Sequence, residues 1–349
     1  MIQLAICLDT SGSMGGLIHQ ARSRLWAIVN DLTLARHGGE PPRLEVAVYQ
    51  YGSNLHPSGE HFMSCVLPFT SDLDAVSEAL FSLSVGGSAE YCGAVVESAA
   101  QHLSWTAAGP GSLRTMIVAG NEAFTQGPVS YKEAVPEAVE RGIYVNTIYC
   151  GRDEEGQATG WLHAAHLAGG DYAVIDHDRD LVRIPCPQDE RIGELNALLN
   201  ETYLAYGAQG RANVERQASQ DRAAASVGEL SARAGAKVNR YAYHNRSWDL
   251  VDLYDAEGAE GLAGLAEESL PERMRSLDDG ELVAQVQTLH AEREAIRGEL
   301  AALVKEREAW LRAEVARLGD TEGPTLDDAV TASIRRQAAA VGFTYADEQ

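Results

Sequence analysis

The chain is poor in aromatic residues, in cations and in long apolar runs, and each shortage excludes something. Only 7% of its 349 residues are aromatic, so a core has to come from aliphatic side chains and alanine, which the 45% hydrophobic content supplies. Lys and Arg number 28 against 51 Asp and Glu, a formal net charge of −23. A deficit of that sign argues against nucleic acid as a partner, because holding a phosphate backbone takes basic side chains that displace counterions. It fits solubility or a basic partner and says nothing about fold. No apolar stretch reaches membrane-spanning length, and no basic segment followed by an apolar one marks an export signal. The expected location is the cytoplasm, unless a signal has been cut from this start. The five cysteines show no zinc spacing. Cys7 and Cys150 fall in apolar, strand-like runs, so free thiols in a reducing compartment are expected. No Walker loop, dinucleotide fingerprint or G-x-S-x-G elbow occurs.

What is present begins with Leu4-Ala-Ile-Cys-Leu-Asp-Thr-Ser-Gly-Ser-Met-Gly15. The first half is long enough for one strand and too short for a helix. The second half is a tight loop carrying Asp9, Ser11 and Ser13 at alternating positions. One carboxylate and two hydroxyls at the end of a buried strand suit a hard divalent cation, which takes oxygen ligands. A helix starting near Gly15 and Gly16 aims its amide dipoles at the same spot.

Strand and helix patterns then alternate. Residues 16 to 32 form an amphipathic helix, with Leu17, Ala21, Leu25, Ile28 and Leu32 at helical spacing. Leu44 to Tyr51 alternates and is β-branched, hence a strand. Phe62 to Phe69 reads as an edge strand, and Asp72 to Leu83 as a helix capped by Ser71. Thr115–Ala119, Ile143–Tyr149 and Tyr172–Ile175 are further strands, with helices near 91–105, 131–140 and 161–168 between them. This alternation implies a doubly wound, mostly parallel α/β sheet.

Three loops end strands in this half, and with them the sequence resembles the von Willebrand factor type A (VWA) family over about residues 2 to 185. The first loop is the D-x-S-x-S run of Asp9, Ser11 and Ser13. In the second, Gly86-Gly-Ser-Ala-Glu-Tyr-Cys-Gly-Ala94, Ser88 stands where the family offers a threonine. In the third, Gly120-Asn-Glu122, Asn121 stands where the family has an aspartate. The wording of the third loop, Gly-Asn-Glu-Ala-Phe-Thr-Gln-Gly-Pro, looks similar to stand-alone bacterial VWA proteins. The resemblance implies a metal-ion-dependent adhesion site for Mg2+ or Mn2+, held by Asp9, Ser11, Ser13 and Ser88. It also implies a protein partner whose acidic residue completes the coordination. Asn121 offers oxygen without charge, so Glu90 and Glu122 are candidates to restore the missing charge. Ser88 has a second role open to it, as a cap of the following helix, and Asn121-Glu122 also fit a plain strand-end turn.

After Ile184-Pro-Cys-Pro187 strand signals vanish and Ala, Glu, Arg and Leu take over. The expected division is therefore a VWA domain over 1–185 and an all-α extension over 189–349. Helices are expected at 189–206 and 213–239, a short one near 248–254, a long one at 279–318 and a last one from Thr325 to about Val341. In the long helix Leu282, Leu289, Ile296, Leu303 and Trp310 recur every seven residues, but Arg293 and Arg307 break the companion seam. A clean coiled coil needs both seams. Packing against other helices of the same chain is expected, with self-association through 279–318 as the alternative.

The reading is a metal-dependent protein-binding module and not an enzyme. Two alternatives stand beside it: a metal-assisted hydrolase with Glu90 or Glu122 as base, and a helical scaffold with a vestigial site.

Overall fold

The computed structural model describes residues 1–175, 184–318 and 326–345. The chain divides into two compact units, 1–182 with 321–349, and 183–320.

The first unit alternates as the sequence predicts. In chain order it comprises β1 (Ile2–Asp9), α1 (Gly15–Thr33), β2 (Ala35–Arg36), β3 (Leu44–Tyr51), β4 (Ser64–Thr70), α2 (Leu73–Ser82), α3 (Cys92–His102) and β5 (Leu113–Gly120). There follow α4 (Tyr131–Glu140), β6 (Tyr144–Cys150), α5 (Asp153–Ala158), α6 (Trp161–Leu167) and β7 (Tyr172–Ile175). The main sheet has the order β4-β3-β1-β5-β6-β7. All its pairings are parallel except β3 with β4, which is antiparallel and lies at the edge. β1 and β5 sit centrally and read as continuous apolar runs because both of their faces are covered. The core is aliphatic with a few anchoring rings, among them the fully buried Trp26, Trp161 and Phe124. The cap of α2 differs from expectation: Asp72, not Ser71, accepts the Asp74 and Ala75 N–H groups at 3.0 Å each. A carboxylate at that position also meets the positive end of the helix dipole.

The second unit is helical: α7 (Asp189–Glu201), α8 (Gly210–Ser226), α9 (Leu230–Val238), α10 (Leu250–Ala263) and α11 (Asp279–Leu318). The single helix expected over 213–239 is two, because Gly228 takes φ +80° after α8 and turns the chain back. That reversal brings Arg233 and Lys237 of α9 onto Asp221 of α8. The seam of α11 is explained by its arginines. Arg293 is fully buried and donates through Nη1 to Asp249 Oδ2 and Asp252 Oδ1, both at 2.6 Å. Arg307 donates to Asp189 Oδ1 at 2.7 Å. The residues that interrupt the heptad are those that pair with the other helices of the unit.

The final helix, α12 (Leu326–Ala340), was expected to close the helical extension; it belongs to the first unit. Its buried Val330, Ile334 and Ala338 pack with α1 and the sheet. The decisive polar contact is Gln337, which donates to Asn146 Oδ1 at 2.6 Å and accepts from Thr115 Oγ1 at 2.9 Å inside that interface. A two-residue strand, β8 (Thr344–Tyr345), then pairs antiparallel with β2. The Thr325 cap expected for this helix lies outside the described residues.

Candidate functional site

Parallel strands of an open α/β sheet deliver their following loops to one rim, where ligands of such sheets bind. The loops after β1 and β5, and the segment before α3, meet at this rim. Asp9, the last residue of β1, is fully buried, and its Oδ1 accepts the Ser11 N–H at 2.7 Å. Ser11 Oγ lies 3.2 Å from Ser13 Oγ. Asn121, just beyond β5, donates from Nδ2 to Ser13 Oγ at 3.1 Å. Two of the three loops are thus joined by their side chains.

From the second loop it is Glu90, not Ser88, that enters. Ser88 is exposed and makes no hydrogen bond among the described residues. Glu90 is 3% exposed, its N–H is held by Gln126 Oε1, and its carboxyl meets Asp9 and Ser11. Glu122 turns outward, and its backbone carbonyl accepts from the Trp161 indole N–H at 2.7 Å. Its charge still reaches Glu90.

Two carboxyls therefore share a buried pocket, and among the described residues no basic side chain forms a salt bridge with either. One oxygen of each, Asp9 Oδ2 and Glu90 Oε2, is buried without a hydrogen-bond partner. Burial first, and the Glu90 carboxyl second, push Asp9 up to about 9, against the opposing pull of the Ser11 bonds. Burial pushes Glu90 up as well. Water-starved oxygens of this kind are costly unless a proton or a cation satisfies them.

One further residue was not singled out in the sequence. Gly52 follows β3 with φ +80°, and a Cβ there would stand 2.6 Å from Asp9 Oδ1 and 3.1 Å from Glu90 Cγ. A glycine directly after a strand, at the rim where the other loops gather, is the signal that could have found it. Next to it, Tyr51 lies under the site, its hydroxyl donating to the Ala119 carbonyl at 2.9 Å.

The donors present are carboxylate, hydroxyl and amide oxygens, the set that suits Mg2+ or Mn2+ and not the thiolate and imidazole preferred by structural zinc. Among the described residues there is no group of three or more His, Cys, Asp or Glu side chains that could hold a metal. The fit of the site rests on its two orphaned buried oxygens and the adjoining hydroxyls.

Residues 3–162 match the model of the von Willebrand factor type A domain. The chain carries a VWA domain. Solved structures with similar folds include the conserved hypothetical protein BatB from Bacteroides thetaiotaomicron. It is 20% identical, with 50% of this chain and 91% of that one covered and a TM-score of 0.38. A von Willebrand factor type A protein from Catenulispora acidiphila is 18% identical, covering 51% of this chain and 39% of that one, with a TM-score of 0.38. Proximal thread matrix protein 1 of the mussel byssus, described with a zinc-occupied MIDAS motif, is 13% identical, covering 51% and 42%, with a TM-score of 0.39. No curated protein matches the chain. Among the described residues no helix is long and apolar enough to cross a membrane, and no disulfide joins the cysteines.

Proposed function

We propose that the rim of this VWA domain is a divalent-cation site that binds a protein partner through the partner's carboxylate. The observation that carries the reading is the pair of partnerless buried oxygens, Asp9 Oδ2 and Glu90 Oε2. Asp9, Ser11, Ser13 and Glu90 would hold Mg2+ or Mn2+. The ion supplies a positive centre able to accept an oxygen from outside the chain. The chain's own residues do the rest. Ser11 fixes the orientation of Asp9 through its backbone N–H. Asn121 holds the Ser13 hydroxyl in place. Gln126 pins the backbone of Glu90. Glu90 supplies the charge that Asn121 lacks, and Ser88 and Glu122 lie at the periphery as contacts for a partner.

Titration calorimetry with Mg2+ and Mn2+ tests this on wild type, Asp9→Ala and Glu90→Gln. Wild type is expected to take up one ion per chain and both variants to lose it. Uptake by neither ion overturns the reading. An acidic peptide is then expected to bind in Mn2+ and not in EDTA; equal binding in both removes the role of the ion.

A further inference from the structure

The other end of the same sheet, where β1, β5 and β6 begin, carries a cavity of about 650 Å³. That volume falls within the usual range for small-molecule sites. β5 alone separates it from the rim by about 20 Å, at about 3.3 Å per residue, so it is no extension of the cation site. Its wall is largely aliphatic, with Pro110, Val139, Ile143, Ala168 and Val341 among the lining residues. Among the described residues no Asp or Glu lines it.

Arg114 stands in this wall and is 6% exposed. Its Nη1 donates to the backbone carbonyls of Thr106 and Arg141. That part of the guanidinium caps the end of α4. The other edge is different. Nε is buried with no partner, and Nη2 makes no hydrogen bond among the described residues. Nη2 is pressed toward Gly142, where a Cβ would come within 2.2 Å of it at a residue with φ +69°. Among the described residues no carboxylate pairs with the guanidinium, whose pKa is lowered by burial. Nε is sealed inside the wall, so Nη2 is the nitrogen left to donate a charge-assisted hydrogen bond to a carboxylate. His37, exposed at the mouth of the cavity, has ring nitrogens that make no described hydrogen bond.

We propose that this cavity binds a small aliphatic carboxylate, with the head group on Arg114 and the hydrocarbon body against the apolar wall. The structural role of Arg114 as a helix cap needs only Nη1; it leaves Nη2 unused. A neutral ligand would leave that nitrogen of the guanidinium unsatisfied, and an inorganic anion would leave the apolar wall in water.

Calorimetry on the full chain, in EDTA to silence the rim, tests this with octanoate, octanol and inorganic phosphate. Octanoate is expected to bind with Kd below about 1 mM, and octanol at least about tenfold more weakly. Arg114→Gln should lose octanoate binding by about tenfold or more. Because Arg114 also caps a helix, Ala340→Trp is the second variant: it fills the cavity from an exposed position and leaves the guanidinium intact. It should block octanoate in a protein whose unfolding is unchanged. Equal binding of octanoate and octanol, binding of phosphate alone, unchanged affinity in Ala340→Trp, or no octanoate binding would each overturn the assignment.

Discussion

Asp9 in the first unit and Asp221 in the second are both buried aspartates in opposite surroundings. Asp221 accepts from Lys237 Nζ at 2.7 and 2.8 Å, from Arg233 Nε, and from the Asn196 and Asn200 amides. Although burial opposes ionisation, the two cations outweigh it and hold Asp221 well below the ordinary carboxylate range. Asp9 has the Ser11 bonds and a second carboxyl beside it, and burial drives it the other way. A buried charge whose partners come from its own fold is structural. One left without a partner stores an electrostatic demand that something outside the chain can meet. Asp249 lies between the two cases: Arg293 pairs with it and with Asp252, yet burial still pushes the Asp249 carboxyl up.

The largest expected effect breaks the satisfied network. Asp221→Ala strands two cations that are fully buried and should cost about 3–5 kcal/mol in urea unfolding of the second unit. Replacing Asp221, Arg233 and Lys237 together by apolar residues should recover most of that loss; if it does not, the network does more than balance charge.

The next prediction tightens the unsatisfied pair. Gly52→Ala forces a side chain onto Asp9 at a positive φ and should cost about 1–3 kcal/mol in thermal unfolding of the metal-free protein. It should also abolish Mn2+ uptake, and normal uptake would show that Asp9 need not be held where it is.

pH separates the two aspartates by sign. The pKa of Asp9 is raised on folding to about 9 from 3.8, so its contribution is fully present below pH 4 and fades as pH climbs to 9. Metal-free protein should lose at least about 1.4 kcal/mol across that window, and Asp9→Asn should flatten the profile. The pKa of Asp221 is lowered, so its contribution is present above pH 4 and fades below it. Denaturant midpoints against pH in EDTA check both; a first unit with no slope between pH 4 and 9 contradicts the pairing of Asp9 with Glu90.

The smallest effects concern the other two loops. Asn121→Asp should strengthen Mn2+ binding by about tenfold, or about 1.4 kcal/mol. Ser88→Ala should change it by less than about twofold, as for an ordinary surface position. A large loss on Ser88→Ala would move the second loop's ligand from Glu90 to Ser88.

Much of this was legible in the chain. Strand and helix alternation, the edge strand after the turn-rich loop, the D-x-S-x-S turn and the long C-terminal helix follow from periodicity and turn chemistry, which act locally. Glu90 was named, but as an adjuster of charge. Its place beside Asp9 depends on how the segment before α3 approaches β1, and no local pattern encodes that. Gly52 escaped because a glycine's close contacts are made with residues far away in sequence. The break at Gly228 was hidden by the alanine-rich helical pattern around it, and α12 was assigned to its neighbours in sequence for want of any sign that Gln337 meets Asn146 and Thr115.

Residue order alone settled which segments become strands and helices, because hydrophobic period and capping are properties of short stretches. It also settled that an oxygen-rich turn closes the first strand. Which acidic groups are buried together, and which of them find a cation within the chain, was decided by packing. Desolvation and Coulomb terms depend on distances across the fold, and those exist only once its elements have come together.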